Sequence, residues 1–224
     1  MDRWLLLCIA VLPHTINAQC DRWQQRIAVQ LDVELDVVHH SFHGTEVLSY
    51  TNNGPDTLHH LFFHLYFNAF KPGSEMDVRS RSIPDPDPRI GARIADLAPV
   101  EQGDLRVTRM TQGGRALELD HRGTLLRASL RSPLLPGRTT EVRLDFEGQV
   151  PIQIRRSGRD NAESVAYSMT QWYPKVAAYD QRGWHTDPYV AREFYGEWGD
   201  HDLRITIDTA YTVAATGELQ PPGR

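Results

Sequence analysis

The sequence predicts an all-β fold: about eight to ten or more strands in a twisted sheet or sandwich. Three observations carry this. Residues 27–38 (IAVQLDVELDVV) alternate apolar and polar at period two, the signature of a half-buried strand. Similar short runs recur down the chain between clusters of Gly, Pro and Asn, as in sandwiches and barrels. No window sustains a 3.6-residue apolar period, so no long amphipathic helix is expected.

The elements follow in order. Ile27, Val29, Leu31, Val33, Leu35 and Val37 share one face of the first strand. Residues 43–51 read as its hairpin partner, closed by Asn52-Asn53-Gly54-Pro55. Residues 58–67 (LHHLFFHLYF) read as a third strand that is apolar on both faces, hence central or covered on both sides. Residues 71–93 lose the alternation and hold Pro72, Gly73, Pro84, Pro86 and Pro88, so they read as a long ordered loop. Residues 105–110 and 116–119 flank Gly113-Gly114, a hairpin signal. Residues 124–130 and 139–146 are two further strands, and 201–208 alternates again. Residues 211–215 are expected to begin another.

The composition is that of a globular protein: 224 residues, 40 % hydrophobic and 24 % charged. Disorder and collagen-like chemistry are excluded, and the length supports a sizeable core. The net charge of -5 argues against nucleic acid as a partner, because phosphate binding needs a basic face. No feature of the sequence sets an oligomeric state.

Residues 1–18 read as a secretory signal peptide, with residues 19–224 as one mature β domain. Arg3 precedes the apolar run WLLLCIAVL, Pro13 ends it, and Ala18 supplies a small residue for cleavage. Nine apolar residues are too few to cross a bilayer, which needs about 20. A lipid anchor on Cys20 is disfavoured because Gln19, just before it, is not small. Export therefore leads to the periplasm or the exterior. Cys20 would then be the mature chain's lone Cys, and a lone Cys forms no internal disulfide.

Residues 149–200 differ in kind. Tyr167, Trp172, Tyr173, Tyr179, Trp184, Tyr189, Tyr195 and Trp198 mix with Arg155, Arg156, Arg159, His185, Asp187 and Arg192. Such a mixture fits an interface or a loop-rich cap with its own small core. The chemistry-bearing pairs are weak. His39/His43 and His60/His64 have the i, i+4 spacing of a helical zinc site, but they lie in or beside strands, and Leu61 stands where a catalytic Glu would sit. There is no Gly-x-Ser-x-Gly, and Ser157-Gly158 lacks an identifiable base. The acid pairs Asp85/Asp87 and Asp200/Asp202 read as solvated turns. From the residues alone this is an exported β domain without a self-contained active site. A stand-alone sandwich that binds protein or glycan fits those residues as well.

Several segments resemble the amino-terminal β domain of the aminopeptidase N family of zinc metallopeptidases, in its bacterial exported branch. They are Asn52-Asn53-Gly54-Pro55-Asp56-Thr57-Leu58, Phe63-His64-Leu65-Tyr66-Phe67-Asn68-Ala69-Phe70, Phe146-Glu147-Gly148-Gln149-Val150-Pro151, Ile154-Arg155-Arg156-Ser157-Gly158-Arg159-Asp160-Asn161, and Tyr167-Ser168-Met169-Thr170-Gln171-Trp172-Tyr173-Pro174-Lys175. The resemblance runs from about Trp23 to the carboxyl end. It implies a saddle-shaped β domain, followed in the family by a catalytic domain with His-Glu-x-x-His. That motif is absent from residues 1–224, so the chain is expected to be the first domain of a larger peptidase. Zn²⁺, a peptide substrate and the catalytic domain are the implied cofactor and partners. In the family, a Gln in a Thr-Gln motif lines the substrate pocket. Thr170-Gln171 matches it, so the resemblance implies a substrate contact for Gln171. Many members carry Glu or Gln two residues later to hold the substrate's free amine. Here that position is Tyr173, which brings no charge for an ammonium. The aromatic segment 167–198 is expected to face the catalytic domain.

Overall fold

The computed structural model describes residues 22–83, 91–190 and 194–220. The signal peptide, Cys20, Asp85/Asp87, the three prolines at 84, 86 and 88, and Arg192 lie outside the described residues. Fourteen strands are described: β1 (Arg26–Asp36), β2 (Ser41–Thr51), β3 (Leu58–His64), β4 (Asp104–Gln112), β5 (Arg115–Ala116), β6 (Glu118–Arg122), β7 (Leu125–Leu134), β8 (Thr139–Gln149), β9 (Gly158–Arg159), β10 (Tyr167–Ser168), β11 (Lys175–Val176), β12 (Tyr179–Asp180), β13 (Gly183–Trp184) and β14 (Gly199–Thr206). The protein is all-β, with several sheets and no closed barrel.

The larger sheet has the order β14-β1-β2-β8-β4-β5. Its pairs are antiparallel except β1 with β14, which run parallel. Parallel pairing needs a long crossover, and residues 37–198 supply it. The smaller sheet has the order β11-β3-β7-β6. Period-two patterning sets which face each strand buries. Ile27, Val29, Leu31 and Val33 of β1 are all buried, as are Phe42, Leu48 and Tyr50 of β2 and Val142, Leu144 and Phe146 of β8. They share one core with Leu61 and Phe63 of β3 and Leu126 and Ala128 of β7.

The third strand is central, between β11 and β7, but it ends at His64. Tyr66–Phe70 forms a 3₁₀ helix instead. Asn68 explains the stop. Its side chain accepts from the Leu105 amide (2.9 Å) and donates to the carbonyls of Leu105 (2.9 Å) and Gly123 (3.1 Å). One amide so bonded holds the chain in a turn between the two sheets, while Leu65 and Phe67 stay fully buried.

The expected loop at 71–93 contains a helix, α1 (Glu75–Ser82). Ser74 caps it, accepting from the Asp77 amide at 3.1 Å, and Asp77 reaches back to the Gly73 amide at 2.7 Å. This is a capping arrangement with Asp in place of Glu or Gln. The helix (EMDVRSRS) has no apolar stripe, so periodicity could not reveal it. Residues 211–215 form no strand.

Candidate functional site

Residues 150–190 and 194–198 form an irregular cap, built from two-residue strands and isolated bridges. Its rings mostly pack inward. Trp172 meets Phe42 edge-on, with centroids 5.7 Å apart, and also contacts Phe146. Trp184 packs on Tyr50, Phe62 and Tyr179. The aromatic segment is therefore largely a cover for this domain's own core. Tyr195 and Trp198 still point outward, 55 % and 82 % exposed.

Thr170-Gln171 is placed by Ser157. The Ser157 hydroxyl donates to the Thr170 carbonyl (2.7 Å) and accepts from the Thr170 amide (3.0 Å). The Thr170 hydroxyl donates to the Arg156 carbonyl at 3.2 Å. Ser157 is itself held in the Ile154–Ser157 bridge. Gly158 beside it has φ +134, and a Cβ there would lie 2.3 Å from Gln153 Cα. Only glycine fits so close an approach. The result is that Gln171 adopts a left-handed backbone, φ +56, which is unfavourable for an L-residue. Its Oε1 is buried and has no hydrogen-bond partner among the described residues.

Gln171 lines a small pocket with Arg155, Arg156, Tyr66, Tyr189 and Phe194, among others. The enclosed space is about 20 Å³, room for roughly one water. Tyr66, Tyr189 and Phe194 pack mutually, with centroids 4.6 to 5.3 Å apart. Arg155 donates to the Tyr189 hydroxyl at 3.3 Å. Burial pushes the Tyr66 phenol well up, so it stays a neutral donor. The space is too small to enclose a peptide group, but at its mouth the Gln171 amide oxygen is an acceptor left for an incoming N–H, beside the Arg155 and Arg156 donors. The site has no carboxylate among its described lining residues.

Tyr173 does not line this pocket. Its hydroxyl lies 3.2 Å from His201 Nε2. Burial, and then the Glu46 carboxylate, push its phenol up. Glu46 itself is 1 % exposed on the inner face of β2, with Oε2 unpartnered among the described residues. Burial raises its carboxyl well above the ordinary value. Lys175, two residues beyond Tyr173, is pushed down by burial.

The histidine pairs part company. His60 Nε2 faces the Arg127 guanidinium at 2.7 Å. His64 Nε2 meets the His185 carbonyl at 3.0 Å, and its ring stacks on Tyr66. His39 pairs with Asp36 at 2.6 Å and His43 with Glu34 at 3.7 Å. Among the described residues no three His, Cys, Asp or Glu side chains converge as metal ligands. The described residues do not fit the implied zinc.

Gln171 stands in the Thr-Gln motif, and its pocket neighbours Arg155, Arg156 and Tyr189 belong to the aromatic-polar stretch of the sequence. Tyr66, which the alternation places in the third strand, lines the pocket from a 3₁₀ helix instead. Glu46 escapes notice in the sequence, although period two from Phe42 through Leu48 to Tyr50 puts that acid on the core face.

No family model matches the chain, and no curated protein matches it. Among solved structures, the chain is similar to an M1 zinc metallopeptidase variant from Deinococcus radiodurans bound to a Tyr-Ser-Ala substrate. The identity is 15 % and the TM-score 0.49, over 88 % of this chain and 35 % of that one. A two-domain M1 zinc metallopeptidase variant bound to L-arginine gives 16 % and 0.49, over 88 % and 35 %. A further M1 zinc metallopeptidase structure from Deinococcus radiodurans gives 16 % and 0.40, over 68 % and 28 %. The chain thus spans about a third of the length of the first two. Among the described residues no helix is long and apolar enough to cross a membrane.

Proposed function

We propose that this chain is the amino-terminal, substrate-flanking domain of an exported zinc metallopeptidase of the aminopeptidase N type. Gln171 contacts the peptide substrate, and zinc is held by residues outside 1–224. The observation that supports this reading most is the state of Gln171. A left-handed backbone and an unpartnered buried amide oxygen both cost stability, and the Ser157 bonds hold them in place. Strain over-determined by its surroundings is typical of ligand-contacting residues. Glutamine both donates and accepts, as a peptide backbone requires.

The pocket lining favours a carbonyl or amide over an ammonium, since its described charged groups are the guanidiniums of Arg155 and Arg156. The test is Gln171→Ala in the complete peptidase, assayed on a free-amine peptide and on its N-acetylated form. The expected result is a fall in kcat/KM of about tenfold or more on both. Unchanged kcat/KM on both would remove Gln171 from the substrate site.

A further inference from the structure

A second concave surface lies away from Gln171, where β4, β5, β7 and β8 meet. It is an open cleft of about 690 Å³, within the range of small-ligand sites. Three arginines line it: Arg115 on β5, Arg131 on β7 and Arg143 on β8. Among the described residues the Arg115 and Arg143 side chains make no hydrogen bond or ion pair, although the Arg143 carbonyl accepts from Thr111 Oγ1 at 3.4 Å. Arg131 commits its Nε to the Ala116 carbonyl at 2.9 Å, which leaves its terminal N–H groups available. Among the described residues the one acid in the lining is Glu141. A local excess of positive charge on a chain of net charge -5 draws anions to this face.

The floor is preorganised. The Gln112 amide donates to the Ser132 carbonyl (3.1 Å) and to Thr140 Oγ1 (2.9 Å), and accepts from the Ser132 amide (3.0 Å). This ties β4 and β8 of the larger sheet to β7 of the smaller one. One wall is the Gly113-Gly114 turn, with φ +55 and +76 and open space around both, so no side chain blocks entry. The remaining lining is hydroxyl-rich, with Thr111, Ser132, Thr139 and Thr140. Among the described residues no aromatic and no aliphatic side chain lines the cleft. That excludes a stacking platform for bases or neutral sugars and a seat for acyl chains.

We propose that this cleft binds an acidic saccharide, a sugar carrying sulfate, phosphate or carboxylate groups. Guanidiniums take the anionic groups in forked pairs, and Thr, Ser and Gln side chains take the hydroxyls. The site is independent of the peptidase reading. The test is calorimetric titration of the whole chain with a heparin-derived sulfated disaccharide, its unsulfated parent and inorganic sulfate. The sulfated sugar binds, the parent does not, and inorganic sulfate binds at least tenfold more weakly. The double variant Arg115→Gln/Arg143→Gln weakens binding at least tenfold without changing Tm. The exposed Arg122→Gln, on the other sheet, leaves it unchanged. Equal affinity in the double variant, no binding of the sulfated sugar, or equal binding of parent or bare sulfate would each overturn the proposal. So would phosphatidylglycerol vesicles that outcompete the sugar at the same arginines, which would assign the cleft to an anionic lipid surface.

Discussion

The larger sheet and the cap reach order by different means. β1, β2 and β8 run eleven residues each and pair side by side through continuous ladders. The cap has strands of two residues only, and bonds such as Ser157–Thr170 and Ser168–Arg156 stand in for ladders. Of the five non-glycine residues described with positive φ, four lie in the cap: Arg155, Asp160, Ser164 and Gln171. The sheet therefore supplies stability while the cap stores strain, and the candidate site lies where the strain is.

The largest expected effect is at the seam between the two. Phe42 packs against Phe67, Phe146 and Trp172. Phe42→Ala should cost about 3–5 kcal/mol in urea unfolding. Because Trp172 loses its partner in the same step, the Phe42→Ala/Trp172→Ala pair should cost clearly less than the two single effects added. Strict additivity would mean that sheet and cap are not packed as one core.

Ser157→Ala comes next. It removes both bonds between Ser157 and Thr170, leaving only the Thr170 hydroxyl on the Arg156 carbonyl, and should cost about 1–3 kcal/mol. Amide exchange is the sharper reading: protection should drop at Thr170 and leave β1 and β2 unchanged. Uniform loss across the sheet would erase the distinction between the regions.

Glu46 tests the sheet side through pH. Burial raises its carboxyl above the ordinary 4.5, so the folded state holds the proton more tightly than the unfolded chain. Its penalty is absent below about pH 4.5 and grows as pH rises toward the folded value. Glu46→Gln should therefore raise Tm at pH 7 to 8 and lose that advantage near pH 4. A variant less stable than the parent at pH 8 would contradict the burial of an unpaired acid.

The smallest effect is at Gln171. Gln171→Gly should relieve the left-handed backbone and stabilise by about 1 kcal/mol, read by thermal unfolding. Destabilisation there would show that Gln171 supports the fold rather than the site.

The contrast also explains what the sequence made legible. Ile27 through Leu35, or Val142 through Phe146, announce their strands because one face meets a core at period two. The helix at 75–82 has no such face, and its signal is a single Ser74–Asp77 cap. Tyr66 and Phe67 continue an apolar alternation, yet Asn68 diverts them by bonds to β4 that are remote in sequence. Gln171 stands out as a candidate only through the motif around it. Its pocket partners do not stand out, because Tyr66 and Tyr189 are brought together by a crossover that leaves no local pattern.

The most direct test of the proposed role is the coding sequence downstream of the codon for Arg224. The account predicts that the frame continues into a domain with His-Glu-x-x-His and a further Glu. A stop codon directly after Arg224 would contradict it.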